Sequence, residues 1–580
     1  MIRGINKTRH CAALWTGAAL AAALVSQSAS AQALAYGDVG TAGSDAAAPG
    51  GDAADAGAPD KGHGAKPRHG RHASHVSPYI EARQVLSAEL SPGSETLTYT
   101  ELAAGVDAVV AGRNNAASAS LRYERRIGWG NAASGDTISG LARGYASLVP
   151  HTLQIDAGVL ATRTRIDNSG AAQLNALGDG IGATQIYSVY AGPTLTTHAG
   201  DAKVDAHYRF GFTKVENPHA IVTAPGVTPL DVFDKSVAHD AGIHIGTRPG
   251  TLLPVGIGAG ANYYREDISN LDQRIEDFNA RLDLTLPLSR DLALAGGVGY
   301  ENVKISNRDA LIGANGLPVI VGNRFVTDKS SPRQIAYRAE GLIWDAGVIW
   351  RPSRRTQLEA HVGRRYGTMS YYGSFSYAPN ERSAFNVSVY DSISGFGGRL
   401  NAALADLPTE FTANRNPLTG DLTGCVAALE KGNCLNGVFG SVRSATFRDR
   451  GVVASYSVQV GRLSAGLAGG YDRRKFIAAP GTVLAVANGT IDEDYWLAGF
   501  VNGRIDRRSG YSANVYANWF QSGAALAGDS TSLGATLSYY RDLTDHLEAT
   551  AALGLDNITR SDPLPDETTL SALVGLRYNF

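Results

Sequence analysis

The last thirteen residues, TTLSALVGLRYNF at 568–580, decide the fold. Leu570, Ala572, Val574, Leu576, Tyr578 and Phe580 share one parity; Thr569, Ser571, Gly575, Arg577 and Asn579 share the other. Side chains alternate faces along a strand, so this segment reads as a ribbon with one apolar and one mostly polar face. The same rule recurs upstream. VDAHYRFGFT sets Val204, Ala206, Tyr208, Phe210 and Phe212 against Asp205, His207, Arg209, Gly211 and Thr213. FNARLDLTL opposes Phe278, Ala280, Leu282, Leu284 and Leu286 to Asn279, Arg281, Asp283 and Thr285. YSANVYANW opposes Tyr511, Ala513, Val515, Ala517 and Trp519 to Ser512, Asn514, Tyr516 and Asn518.

Composition narrows what such ribbons can build. The 580 residues include 68 Gly, 25 Tyr, 15 Phe and 6 Trp, but only 3 Cys. Charged residues make up 18%, against roughly 25% in soluble proteins. No stretch beyond residue 26 approaches the ~20 apolar residues of a spanning helix, which excludes a polytopic helical membrane protein. Aromatic and β-branched residues recur throughout, which excludes disorder over the whole chain. Three cysteines cannot build a disulfide scaffold.

A soluble sandwich also alternates, and three further features argue against it. The polar faces carry full charges in mid-strand, run after run. The apolar faces often end in Tyr, Trp or Phe, as at the girdles of a membrane interface. The connections alternate in length: short turns at 199–202, 288–291, 351–355, 460–462, 507–510 and 544–546, longer loops at 167–183, 217–235, 307–334, 397–449 and 476–491. The expectation is an all-β protein, a single-chain transmembrane antiparallel β-barrel of about 22 strands within a range of 18–24. An even count puts both chain ends and every short turn on one side of the membrane, the periplasmic one.

The N-terminus points to export. Arg3, Lys7 and Arg9 precede an apolar run, Cys11 to Val25, and Ala29-Ser30-Ala31 offers small residues to a signal peptidase, so residues 1–31 read as a cleaved signal. Without them 49 basic residues face 54 acidic ones, a formal charge of -5, which argues against nucleic acid as a partner. Residues 32–76 read as a disordered periplasmic tether, Ala/Gly/Asp-rich and then basic, with His63, His69, His72 and His75. Those histidines match no defined metal spacing, and a solvated linker is the simpler reading. The barrel is expected over 77–580.

Tyr578-Asn579-Phe580, with alternate apolar residues behind it, resembles the signal by which Gram-negative outer-membrane barrels are recognised for insertion. The resemblance implies residence in the outer membrane, with its lipid, its lipopolysaccharide and the barrel-assembly machinery as partners. Tyr79-Ile80-Glu81-Ala82 and VGRRYGTMSYYGSFSY (362–377) resemble large barrels of the exopolysaccharide/PEP-CTERM-associated type, a family with no settled activity to carry over.

Alternation assigns Arg122, Glu124, Asp205, His207, Arg209, Arg281, Asp283, Glu359, His361 and Arg577 to the lumen. A wall of hydrated ion pairs is what any wide barrel needs; the functional alternative is a pore whose charges orient a polar solute. Only about 45 low-complexity residues precede the first strand, which disfavours the energy-coupled receptor with a folded N-terminal plug. Occlusion by the tether, or by loops 307–334 and 397–449, stays open. Asp205 with His207, and Glu359 with His361, form i/i+2 pairs that suggest acid–base chemistry, but such pairs arise by chance in a polar lumen. With no nucleophile elbow, phosphate loop or zinc-protease motif, no enzyme, cofactor or metal is expected. Cys425 and Cys434 are expected to form a disulfide in the oxidising periplasmic or external space. The leading function is a pore or transporter for hydrophilic solutes, saccharides among them. The alternative is a structural or export-associated barrel whose tether reaches a periplasmic partner.

Overall fold

The computed structural model describes residues 74–166, 172–173, 183–216, 231–322, 324–427, 435–524, 528–561 and 565–580. The expected signal peptide and nearly all of the expected tether lie outside them, as does Cys434; the side chain of Cys425 is likewise undescribed, so the expected disulfide lies outside the described residues.

Twenty-two long strands and one two-residue strand, Ala172–Gln173, form a single sheet. Each long strand pairs antiparallel with its neighbours in the chain. The ring closes where the first, His75–Ser91, pairs with the last, Glu567–Asn579, in a register running from Tyr79↔Asn579 to Ser91↔Thr568. The twenty-two long strands match the count expected from the sequence. Closure is what hydrocarbon requires, because an open edge would leave backbone groups without partners.

One end of the ring carries tight reversals, two of them at Gly200 and Gly461, where φ is +61° and +59°. A two-residue hairpin needs such left-handed backbone, and glycine supplies it without a Cβ clash. The other end carries the long connections at 308–333 and 395–445. Strands run from 10 residues (Thr356–Arg365) to 20 (Gln334–Ser353), and all but that shortest one exceed the 9–11 that cross a bilayer, so most of the wall projects past it.

The outer face is apolar. Leu282 is 60% exposed, Leu342 69% and Val574 63%, each in mid-strand. Trp129 is exposed toward the loop end, and Trp350, Tyr539 and Tyr578 toward the turn end. No helix among the described residues is long and apolar enough to cross a membrane. Strands do the crossing.

Candidate functional site: a lumen filled by one loop

The inner faces of the strands carry charge, and the charges pair. Arg122 meets Glu81 and, at 3.2 Å, Glu124. Arg577 lies 3.0 Å from Asp107 and 3.5 Å from Glu81, with its guanidinium 3.6 Å over the Tyr79 ring. Asp205 accepts from Thr196 at 2.9 Å and lies 3.3 Å from Lys203. His207 and Arg209 both face Asp240, at 3.6 and 3.5 Å. Arg281 binds Asp345 at 2.9 Å, Asp283 meets His244 at 3.1 Å, and Glu359 lies 3.3 Å from His361.

By shared partners these ten residues form five groups around the wall: Arg122, Glu124 and Arg577; Asp205; His207 and Arg209; Arg281, Glu359 and His361; and Asp283. Asp205 and His207 have different partners and make no acid–base pair. His361 sits between Asp345 (2.9 Å) and Glu359 and stacks on Tyr372 with ring centroids 4.7 Å apart.

What fills the space between the groups is the connection 395–445, which folds back into the ring. It begins with a helix, α1 (Phe396–Asp406). The Glu266 carboxylate accepts from the backbone N–H of Gly395 and of Gly398, both at 2.8 Å, satisfying donors that a helix N-terminus leaves free. Phe396, Leu400 and Leu404 recur at helical spacing and are fully buried. They pack in one cluster with Leu141, Leu160, Ile186, Tyr190 and Val215 of the wall. Gly398 is required here, since a Cβ would stand 1.9 Å from Tyr264 Oη.

After α1 the chain makes a hairpin, Thr412–Arg415 with Leu422–Ala427, whose turn reaches the closure seam. Arg83 Nη1 donates to Pro417 O at 2.9 Å. Arg163 pairs with Asp421 at 2.7 Å. Arg415 donates to Ser120 O at 2.9 Å and to Ser139 Oγ and Gly420 O at 2.8 Å. Leu418 packs with Val85, Tyr99 and Leu573. The returning arm is held from a third side, where Arg474 donates to Gly437 O, Val438 O and Ser441 O at 2.6–2.9 Å. Arg399 of α1 meets Asp449 at 2.7 Å. One loop thus touches the wall at the closure seam, along the strands from 115 to 268 and at the strands from 446 to 477.

Above it the connections interlock through Asp231. Its carboxylate accepts from Phe325 N at 2.9 Å, from Asn270 Nδ2 at 3.3 Å and from the Ser444 hydroxyl. Burial pushes its pKa up to about 6, outweighing those hydrogen bonds and the attraction of Arg324.

Alternation could place Arg83 and Glu101 on the lumen face, but neither Arg415 nor Asp231 carries a local signal. Their roles come from contacts hundreds of residues away in sequence.

A closed antiparallel ring with an apolar outer belt and a charged, occupied interior defines the class: this is an outer-membrane β-barrel with an intralumenal plug. No protein-family model matches the chain, and no curated protein sequence matches it. Among solved structures it is similar to the FrpB iron transporter from Neisseria meningitidis (F5-1 variant), at 12% identity and a TM-score of 0.41, covering 87% of this chain and 82% of that one. It is also similar to the ferric-catecholate import receptor Fiu from E. coli K12, open form (10%, TM-score 0.40, 87% and 81%). A third is the siderophore receptor PiuA from Acinetobacter baumannii (7%, TM-score 0.38, 86% and 82%). At such identities and scores, function is read from this chain's own residues.

Proposed function

We propose that the protein is a gated barrel that passes hydrophilic solutes across the outer membrane, with loop 395–445 as its gate and the tight turns on the periplasmic side. The observation that carries this reading is the contrast between the loop's two arms. The α1 arm is fixed by an apolar cluster of the wall, whose burial costs about 1.5–3 kcal/mol per large side chain to undo. The hairpin arm buries two large apolar side chains, Leu418 and Leu422, compared with the three of α1, and the rest of its hold is polar contacts, each worth about 0.5–3 kcal/mol net, which water or a polar solute can replace. The hairpin therefore moves while α1 stays.

Saccharides fit a lumen of hydroxyl, carboxylate and guanidinium groups, and that identity rests on this chemistry alone; the resemblance of 79–82 and 362–377 to exopolysaccharide-associated barrels has no family-model match behind it. The signal peptide, the tether over 32–76 and the Cys425–Cys434 bridge belong to the same reading as parts of an exported, periplasm-anchored barrel. Proteoliposome swelling in saccharides of graded size tests it. Wild-type protein should admit them slowly, and a variant lacking 412–427 quickly, up to a size cut-off. If a deletion variant with intact heat-modifiable folding is as slow as wild type, the gate lies elsewhere.

A further inference from the structure

Beneath the hairpin turn lies a cavity of about 560 Å³, its open mouth included, at the closure seam. Arg415 and Gly420 form its roof, Arg83 and Arg122 its back, and Arg577 and Glu548 its side toward the tight turns. Glu548 is the second residue of its strand and Arg577 the third from the end of its own, so the mouth lies toward the periplasmic end.

Pairing the charges around this cavity leaves two over. Arg83 is taken by Glu101 at 2.7 Å and Glu124 at 3.2 Å, Arg122 by Glu81 and Glu124, and Arg577 by Asp107 and Glu81. Arg415 is different. Its donors go to hydroxyl and carbonyl oxygens, and no carboxylate among the described residues lies within the 4.0 Å of an ion pair. Glu548 is its converse: Thr550 donates to it at 3.2 Å, and no cation among the described residues lies within the same distance. One cavity thus presents, each beyond ion-pair distance of an opposite charge among the described residues, a cation on its roof and an anion on its side, the latter with Arg577 opposite it in register but committed to Asp107 and Glu81.

We propose that this cavity binds a small zwitterionic solute arriving from the periplasmic side, its carboxylate on Arg415 and its ammonium group on Glu548. Charge-assisted bonds are the stronger ones, so the solute's carboxylate competes with Ser120, Ser139 and Gly420 for the guanidinium. The bonds to Ser120 and Ser139 are part of the hairpin's hold on the wall, beside those of Pro417, Leu418 and Asp421. Occupancy therefore favours the released hairpin by the difference in affinity between the two states. The direction implied is outward. This deepens the gated-barrel reading and rests on it for the coupling, but not for the binding.

The test is equilibrium binding of L-alanyl-L-alanine to the full-length barrel refolded in a non-ionic detergent, measured by calorimetry beside N-acetyl-alanyl-alanine and alanyl-alanine amide. The zwitterion should bind roughly tenfold more tightly than either blocked form. Glu548→Gln, which keeps the side-chain shape, should remove that advantage over the N-acetyl form and leave the N-acetyl form's own affinity unchanged. No saturable binding of the dipeptide by wild type would overturn the proposal, as would equal affinity for all three or a Glu548→Gln change that weakens all three alike. If the dipeptide binds as described but a hairpin deletion admits no solute, the site stands and the gate reading falls; the reverse pair of results removes the site and leaves the gate.

Discussion

Asp231 offers a switch whose sign and size follow from the structure. Its carboxylate joins four connections at the loop end: its own, the turn bearing Asn270, the 308–333 loop through Phe325 N, and the plug loop through Ser444. Arg324 and Asp234, themselves paired at 3.1 Å, are the charged groups beside it. In the unfolded crown an aspartate titrates near its ordinary value of 3.8, whereas burial raises it here to about 6. Between those values the folded crown binds more protons than the unfolded one, so its stability falls as pH rises. The contribution is fully present below pH ~4 and lost by the time pH has passed about 6. That gap corresponds to about 3 kcal/mol for this buried group. Hydrogen–deuterium exchange over 308–333 and 435–445, corrected for the intrinsic pH dependence of exchange, should show stronger protection at pH 4 than at pH 7. Asp231→Asn should abolish the difference. Protection in wild type that is flat across this window, or a pH dependence that survives Asp231→Asn, would show that Asp231 is not the switch.

Two further outcomes follow from the wall and the plug. Leu282→Arg puts a charge toward lipid in mid-strand and should cost about 2–4 kcal/mol, visible as loss of the heat-modifiable band on a gel. Arg281→Ala next to it should cost only about 1–2 kcal/mol, because Asp345 keeps His361 at 2.9 Å and Tyr372 at 3.2 Å; equal damage from the two would contradict the assignment of faces. Gly398→Leu drives side-chain atoms into Tyr264 and Glu266 and should unseat α1 while sparing the barrel. External chymotrypsin should then cut near Phe411 while the heat-modifiable band remains; resistance equal to wild type would show that α1 tolerates the bulk.

The strands were legible because the medium writes them. Lipid on one side and water on the other impose a period of two, and Leu282 beside Arg281, or Leu576 beside Arg577, is that rule residue by residue. The plug was legible only as a long loop. Its traces in the strands are apolar residues on the wet face: Leu573 within the closing strand, and Leu141, Leu160 and Ile186 elsewhere. Leu573 breaks the alternation of its ribbon because Leu418, 155 residues earlier, packs against it. Leu141, Leu160 and Ile186 do so because α1 does. The partners of Arg415 and Asp231 were illegible for the same reason, since a long-range contact leaves no periodic mark.

Planar-bilayer recording reports directly whether loop 395–445 closes the lumen. Wild-type barrels should show small or brief openings, and barrels lacking 412–427 should show a large, steady conductance at the same voltage. Indistinguishable conductances from two correctly folded proteins would contradict the plug as the barrier.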